Sequence, residues 1–131
     1  MPVDQSLVGR QFPPTRPYAV TEERLRDFAE ATGAEFTGRA AATYPIVLAF
    51  EAMNTFLEEV GVELARIVHG EQKFAYERPV VAGDTLTATL TVAGLRQIGG
   101  NDIITTSSEI TDDSGALVCT AGATLVHRGA A

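Results

Sequence analysis

The sequence predicts an α+β fold in which an antiparallel sheet wraps around one long, buried helix. Two observations lead to this class. The first half of segment 45–60 is apolar on nearly every side of a helix, as is typical of a buried one. Most of the chain after it alternates apolar residues with threonine and serine between tight turns, which indicates antiparallel strands with one solvated face.

A short amphipathic helix is predicted over 21–33. Leu25 and Phe28 fall on its apolar face, Thr21 suits the N-cap, and Gly33 suits the end. The preceding QFPPTRPY is expected to be extended, because each proline fixes φ and restricts its predecessor. The stretch AEFTGRAAATY shows no period and is predicted to be a loop.

Pro45 is predicted to begin the second helix, since proline is tolerated in a first turn, and Gly61 to end it. Strands are predicted over 66–79, 85–92, 102–111 and 116–128, with turns at 82–84, 99–101 and 112–115. The last three strands would form a meander, and Cys119 on the last is expected to be buried.

Bulk composition restricts the possible functions. The 131 residues predict one domain, and a net charge of −7 argues against nucleic-acid binding. The single cysteine fits a reducing compartment, and we expect a cytoplasmic protein without a signal peptide or membrane span. Neither a nucleotide-binding fingerprint nor a metal-ligand spacing occurs in the sequence, so we predict no cofactor and no metal.

A helix that is apolar on every side needs cover on more than its sheet side. A sheet that wraps around the helix, together with a second domain of the same fold packed against it as a dimer, would supply that cover. The prediction is therefore a dimeric hot-dog fold, with a generic α+β sandwich as the alternative.

The segment VHGEQKFAYERPVVAGDTLTATLTV (68–92) resembles the MaoC-like hydratase/dehydratase hot dogs. In particular, it is similar to their non-catalytic half, such as the substrate-binding subunit of mycobacterial (3R)-hydroxyacyl-ACP dehydratase. YAVTEERLRDFAEATG (18–33) and TYPIVLAFEAM (43–53) extend the resemblance over most of the chain. The resemblance implies dehydration of (3R)-hydroxyacyl thioesters, or hydration in reverse, on acyl carrier protein or CoA in fatty acid or polyketide metabolism.

The chain departs from the family where its catalytic members carry Gly-Asp-x-Asn-Pro-x-His after the first helix. There, the Asp and His handle a catalytic water. This chain reads TGAEFTGR: Gly33 matches, Ala34 stands at the Asp position, and the next histidine is His69. The resemblance thus implies a subunit without its own acid–base pair. We expect it to pair with a catalytic hot dog on a separate polypeptide, or with itself.

Several residues are candidates for substrate binding. The second helix opens with Tyr44, Pro45, Ile46 and Val47, and the free backbone N–H groups of this helix end could bind a thioester carbonyl or simply be capped. Phe50, Met53 and Phe56 have helical spacing and are expected in the core, although part of that surface could line an acyl tunnel.

His69, Gly70 and Gln72 are predicted to contact substrate or partner, with a purely structural role as the alternative. Strand alternation places His69 and Glu71 on one face, close enough for a hydrogen bond, and Gln72 on the other. Structural support is favoured over a catalytic dyad for this pair.

Glu51 supports a rival function, because hot-dog thioesterases can carry a catalytic carboxylate on this helix. Otherwise Glu51 needs a polar neighbour such as Asn54 or a wet pocket. A third possibility is an acyl-thioester-binding homodimer without enzymatic activity. Asp84 is expected to stabilise its turn and His127 to be exposed. The cations that could form a docking patch for the carrier or for CoA are Arg66, Lys73, Arg78 and Arg96.

Overall fold

A computed structural model describes residues 3–129 as a five-stranded antiparallel sheet curled around a central helix. The helices are α1 (Glu22–Ala31) and α2 (Ile46–Val60); the strands are β1 (Tyr18–Ala19), β2 (Ile67–Tyr76), β3 (Thr85–Ile98), β4 (Asn101–Thr111) and β5 (Leu117–His127). The strand order is β1-β3-β4-β5-β2, so the predicted meander β3–β4–β5 is confirmed. This is the predicted hot-dog fold.

The helix boundaries follow local signals. The Thr21 side chain accepts a hydrogen bond of 3.1 Å from the Arg24 N–H and so caps α1. Gly61 ends α2 in the left-handed conformation, with φ of 72°, which costs glycine nothing sterically. Within residues 3–129, no helix is long and apolar enough to cross a membrane.

The core lies between α2 and the concave face of β3 and β4. Alternate residues of β3 point inward, and Leu86, Ala88, Leu90 and Val92 are all buried. From the helix, Leu48, Met53 and Phe56 are buried against this surface, as expected for the last two. Cys119 on β5 is also buried, as predicted.

The extended N-terminal segment covers the outer edge of β3. Phe12 N–H donates to the Leu90 carbonyl at 2.8 Å, and Thr15 N–H donates to the Ala88 carbonyl at 2.9 Å. The Phe12 ring packs edge-to-face on Phe56, with 4.9 Å between centroids. The predicted lead-in is therefore extended, and it also contributes a core residue that the sequence pattern did not reveal.

β2 forms the opposite edge of the sheet and pairs with β5. The helix makes most of its sheet contacts with β3 and β4, whereas His69 and Tyr76 on the concave side of β2 are exposed.

Two expectations about burial are wrong for this chain on its own. α2 is not buried on every side: Phe50 is 43% exposed and Glu51 is exposed, because the sheet covers one side of the helix only. His127 is buried rather than exposed, because its position on β5 points inward beside Asp102.

Candidate functional site

The first part of the site is the concave side of β2. His69 lies opposite Leu125 of β5, but the next pair is Glu71 with Thr124, so a bulge at Gly70 shifts the register. His69 and Gln72 consequently share the concave side and a hydrogen bond of 2.9 Å between Nε2 and Oε1.

The predicted face sharing of His69 with Glu71 is therefore wrong, because the bulge adds one residue to the strand. Glu71 points to the convex side, 3.5 Å from the Thr124 hydroxyl and 3.8 Å from the Lys73 ammonium. His69 has an amide partner rather than a carboxylate, which agrees with the expectation that His69 and Glu71 are not a catalytic dyad.

His69 and Gln72 stand at the rim of a narrow cleft between α2 and the sheet. The helix contributes Ala49 and Met53, and β4 contributes Thr106 and Ser108. The space amounts to about 10 Å³, which is room for roughly one water. In this conformation only the exposed rim can meet a substrate or a partner chain. Met53 and His69 thus line the same cleft.

The opening of α2 does not offer the free donors that the sequence suggested. Ile46 N–H donates to the Thr43 carbonyl at 3.0 Å, and Val47 N–H donates to the Tyr44 carbonyl at 3.1 Å. Pro45, the N-cap residue, has no N–H. The expected free donors are therefore not found at Ile46 and Val47, because the chain enters α2 through turns whose carbonyls already accept these N–H groups.

Aromatic side chains hold the segment that leads into α2 in place. Tyr44 is fully buried, its hydroxyl lies 2.8 Å from that of Tyr18, and its ring packs edge-to-face on Phe28. Burial, together with the Tyr18 hydroxyl, raises the pKa of Tyr44 far above its ordinary value, so it remains a neutral phenol. The Arg24 guanidinium lies 4.7 Å from the centre of the Tyr18 ring. Tyr44 therefore anchors α1 to α2.

The loop after α1 carries no acid–base pair. Ala34 is exposed, and its N–H donates to the Ala29 carbonyl at 2.8 Å. Glu35 beside it is exposed too. Further along, the Tyr76 hydroxyl donates a hydrogen bond to the Ala42 carbonyl and ties this loop to the end of β2. Burial raises the pKa of Tyr76 to about 12, which keeps this donor protonated.

The second part of the site is a groove between this loop and the β2–β3 connection. Its volume is about 770 Å³, within the range of small-molecule sites. Small apolar residues make up much of its lining, and Arg39 and Tyr76 stand among them. The apolar residues are Leu25, Ala40, Ala41, Ala42, Pro79, Val80, Val81 and Ala82.

An ion cluster holds the β2–β3 wall of this groove. Arg78 binds Asp84 through two hydrogen bonds, of 2.9 and 3.1 Å, and Asp112 through one of 3.1 Å. Asp84 also accepts from the Val81 N–H at 2.9 Å, which confirms its predicted role in the turn. The hydroxyl of Ser114 and the Arg78 guanidinium lower the pKa of Asp112 to about 2.

The predicted basic patch is not assembled as proposed. Arg78 is committed to two carboxylates, and Lys73 lies beside Glu71. Arg96 remains on the convex side opposite Ile103, at the end of the sheet away from the groove, and Arg66 donates a hydrogen bond to the Arg128 carbonyl.

Glu51 and Phe50 lie outside both parts of the site. They share the outer side of α2 with Val47, beside Arg16 and Asn54, in a shallow depression open to solvent. Glu51 is exposed in the single chain, because this side of α2 faces away from the sheet.

A buried pair of polar side chains, Asp102 and His127, was not predicted from the sequence. His127 Nδ1 lies 3.0 Å from Asp102 Oδ2, and both side chains are almost fully buried. Gln97 donates to the other Asp102 oxygen at 2.8 Å. The alternation of inward and outward residues along β4 and β5 could have predicted this pair. Asp102 and His127 both belong to the inward-facing residues of their strands, and they lie at the same end of the sheet.

The curled antiparallel sheet wrapped around α2 defines a hot-dog protein. More particularly, the chain belongs to the family described as FAS1-like, dehydratase domain region, whose model matches residues 6–121.

Similar proteins agree with this assignment. A UPF0336 protein of Clavibacter michiganensis is 45% identical over 98% of each chain. The C-terminally truncated HadBC (3R-hydroxyacyl-ACP dehydratase) complex of Mycobacterium tuberculosis includes a chain 27% identical to this one, with a TM-score of 0.84 over 96% of this chain and 99% of that one. The (R)-hydratase of A. caviae, involved in PHA biosynthesis, has the same fold at 21% identity, with a TM-score of 0.68 over 93% of this chain and 98% of that one.

Proposed function

We propose that this protein is the non-catalytic, acyl-binding subunit of a (3R)-hydroxyacyl-thioester dehydratase or enoyl-thioester hydratase. The observation that carries the proposal is the loop after α1: a dehydratase-family fold in which Ala34 takes the place of the catalytic Asp. The neighbouring Glu35 is exposed, and the nearest histidine, His69, lies on another element. A water would find no positioned base at this loop, so a partner must supply the Asp and His.

The surface of β2 supports the need for a partner. β2 is a ten-residue edge strand without proline, and such an edge readily pairs with another chain. On its concave side, His69 is exposed and Gln72 is half-buried. A second hot dog that pairs with β2 would cover both features. The complex type of the mycobacterial neighbour agrees with such an arrangement.

We assign the groove behind Tyr76 to the acyl chain. Its small apolar lining suits methylene groups, and burial contributes roughly 0.8 kcal/mol per methylene. Tyr76, which lines the groove, and His69 both lie on the concave side of β2. Since β-strands rise about 3.3 Å per residue, seven residues separate the two by about 23 Å. An extended acyl chain could therefore lie along β2, with its thioester toward the partner's acid–base pair.

The test is reconstitution with a MaoC-like subunit that has an intact Asp and His. We expect each protein alone to leave a 3-hydroxyacyl thioester unchanged, and the co-purified complex to dehydrate it. Strong turnover by this chain alone would contradict the proposal. Tight acyl-thioester binding without turnover in any pairing would instead favour a non-enzymatic homodimer.

A further inference from the structure

The groove behind Tyr76 is wider than an unbranched acyl chain requires. Its volume is about 770 Å³, and its shorter wall, residues 38–42, spans at most about 18 Å when fully extended, so its mean cross-section is at least roughly 40 Å². A methylene group is about as large as a water molecule, about 30 Å³, and lengthens a chain by about 1.3 Å, so an unbranched chain fills roughly 23 Å². The groove therefore has nearly twice the cross-section that one such chain occupies.

The chain lacks internal residues that its relatives carry. A UPF0336 protein of Saccharopolyspora erythraea aligns over 148 positions with all 131 residues of this chain, so 17 positions of the alignment fall in gaps within this chain. We place the missing positions in the loop after α1, because this loop departs from the family motif at Ala34 and its residues 38–42 line the groove. A shortened loop at this point accounts for the open space.

Two side chains of the groove favour an aromatic ring as ligand. Tyr76 is 40% exposed, and the hydrogen bond from its hydroxyl to the Ala42 carbonyl holds its ring at the groove. Arg39 lines the groove as well, and within residues 3–129 its guanidinium forms neither an ion pair nor a stack on an aromatic ring. A guanidinium and a phenol ring both attract the π-system of an aryl group.

The charges in the groove do not favour an anionic ligand. Glu77 lines the groove as Arg39 does and opposes its charge. Arg78 is bound to Asp84 and Asp112. A carboxylate or a phosphate binds strongly where free cationic donors converge, and this groove has no such excess of cations. A neutral, apolar group therefore suits it better.

We infer that the groove binds the aromatic ring of an aryl-terminated acyl chain. This inference rests on the proposed function and names the class of acyl group that the proposed function leaves open.

The distance along β2 sets the length of the chain that carries the ring. With the thioester near His69, the groove at Tyr76 lies about 23 Å away. An extended chain advances about 1.3 Å per carbon, so about 18 carbons bring a terminal ring into the groove. The ring of a shorter acyl chain stays outside the groove, on the concave side of β2.

The experiment uses the reconstituted complex and pairs of 3-hydroxyacyl thioesters of equal carbon number, one unbranched and the other ending in a phenyl group. For the long pair, we expect kcat/KM of the aryl member to exceed that of the unbranched member at least about fivefold, because the ring fills the width of the groove. Ala82→Leu narrows the groove and should reduce this ratio to about one, and Ala41→Leu in the loop after α1 should do the same. The matched control is Ala31→Leu, which adds the same atoms at an exposed position of α1 and should keep the ratio.

Three results would overturn the inference. They are equal kcat/KM for both members of every pair, a preference that both leucine variants leave unchanged, and protection of residues 38–42 from hydrogen exchange by the partner alone, which would indicate a partner segment in the groove. All three leave the proposed function intact, because the unbranched substrates are still dehydrated. By contrast, a wild-type complex that dehydrates no member of any pair refutes the proposed function. Hydrogen exchange then still decides the ligand: stronger protection of residues 38–42 by the long aryl thioester supports the inference, and equal protection by both members overturns it.

Discussion

At the residue scale, the bulge at Gly70 decides what His69 can contact. In a regular strand, His69 and Glu71 would lie on the same face. The extra residue of the bulge instead places His69 on the same face as Gln72, beside the cleft. An isolated glycine in a strand is a known sign of a bulge. Gly70 thus indicated a possible bulge in the sequence. The change of register, however, depends on the pairing of Glu71 with Thr124 of β5, which a local sequence pattern does not encode.

Replacement of His69 tests the rim of the cleft. In the reconstituted complex, His69→Ala should lower kcat/KM three- to tenfold, roughly the value of one lost hydrogen bond, with assembly unchanged. Glu71→Ala is the matched control, because Glu71 faces the convex side. Steady-state kinetics and size-exclusion chromatography provide the two readouts. Equal effects of both variants would remove His69 from the site.

The buried Asp102–His127 pair is expected to stabilise the fold rather than take part in catalysis. His127→Leu should lower the free energy of unfolding by about 3 kcal/mol, because the buried Asp102 carboxyl would lose one of its two side-chain hydrogen-bond partners. The exposed His69→Ala should cost less than about 0.5 kcal/mol. Urea denaturation at neutral pH measures both. Similar values for the two variants would contradict a structural role for the pair.

The Arg78 cluster predicts a particular acid sensitivity. Burial acts to raise the pKa of Asp84, but Arg78 and the Val81 N–H outweigh it, so both Asp84 and Asp112 have a pKa below the ordinary 3.8. A carboxyl with a lowered folded-state pKa stabilises the fold above about pH 4, and its contribution disappears as pH falls toward 2. Arg78→Met should flatten that decline in urea titrations between pH 2 and 6. Parallel profiles for both proteins would refute this assignment.

At the element scale, local signals account for most boundaries. Thr21, Gly61 and the glycine turns place the helices and the meander because each acts through nearby backbone. The pairing of β2 with β5, and of the N-terminal segment with β3, joins distant parts of the chain and has no local signature. For the same reason, the apolar character of α2 did not predict that Phe50 is exposed in the single chain.

The hydrogen bond between Tyr76 and Ala42 links the two walls of the groove. Tyr76→Phe removes that bond but keeps the ring, so amide hydrogen exchange in residues 38–42 should accelerate. Exchange within β3 and β4 should stay as in the wild type. Mass spectrometry after timed labelling provides the measurement. Unchanged exchange in 38–42 would show that other contacts hold the loop.

At the scale of the whole molecule, the chain has the hot-dog fold of a dehydratase family. The sequence alone predicted this fold, because it follows from the order of the motifs, and the loss of the acid–base pair at Ala34 stays a prediction. The sequence could not locate the groove, whose walls lie about 40 residues apart in the chain. The open side of β2 and the groove are both what an acyl-binding half would present to a catalytic partner.

The most direct test of the central claim is a titration of activity. A fixed amount of an intact MaoC-like partner receives increasing amounts of this chain, and dehydration of a 3-hydroxyacyl thioester is followed. We predict negligible activity of either protein alone and a rate that rises to a plateau at a one-to-one ratio. Full activity of this chain without its partner, or a rate independent of its addition, would contradict the claim.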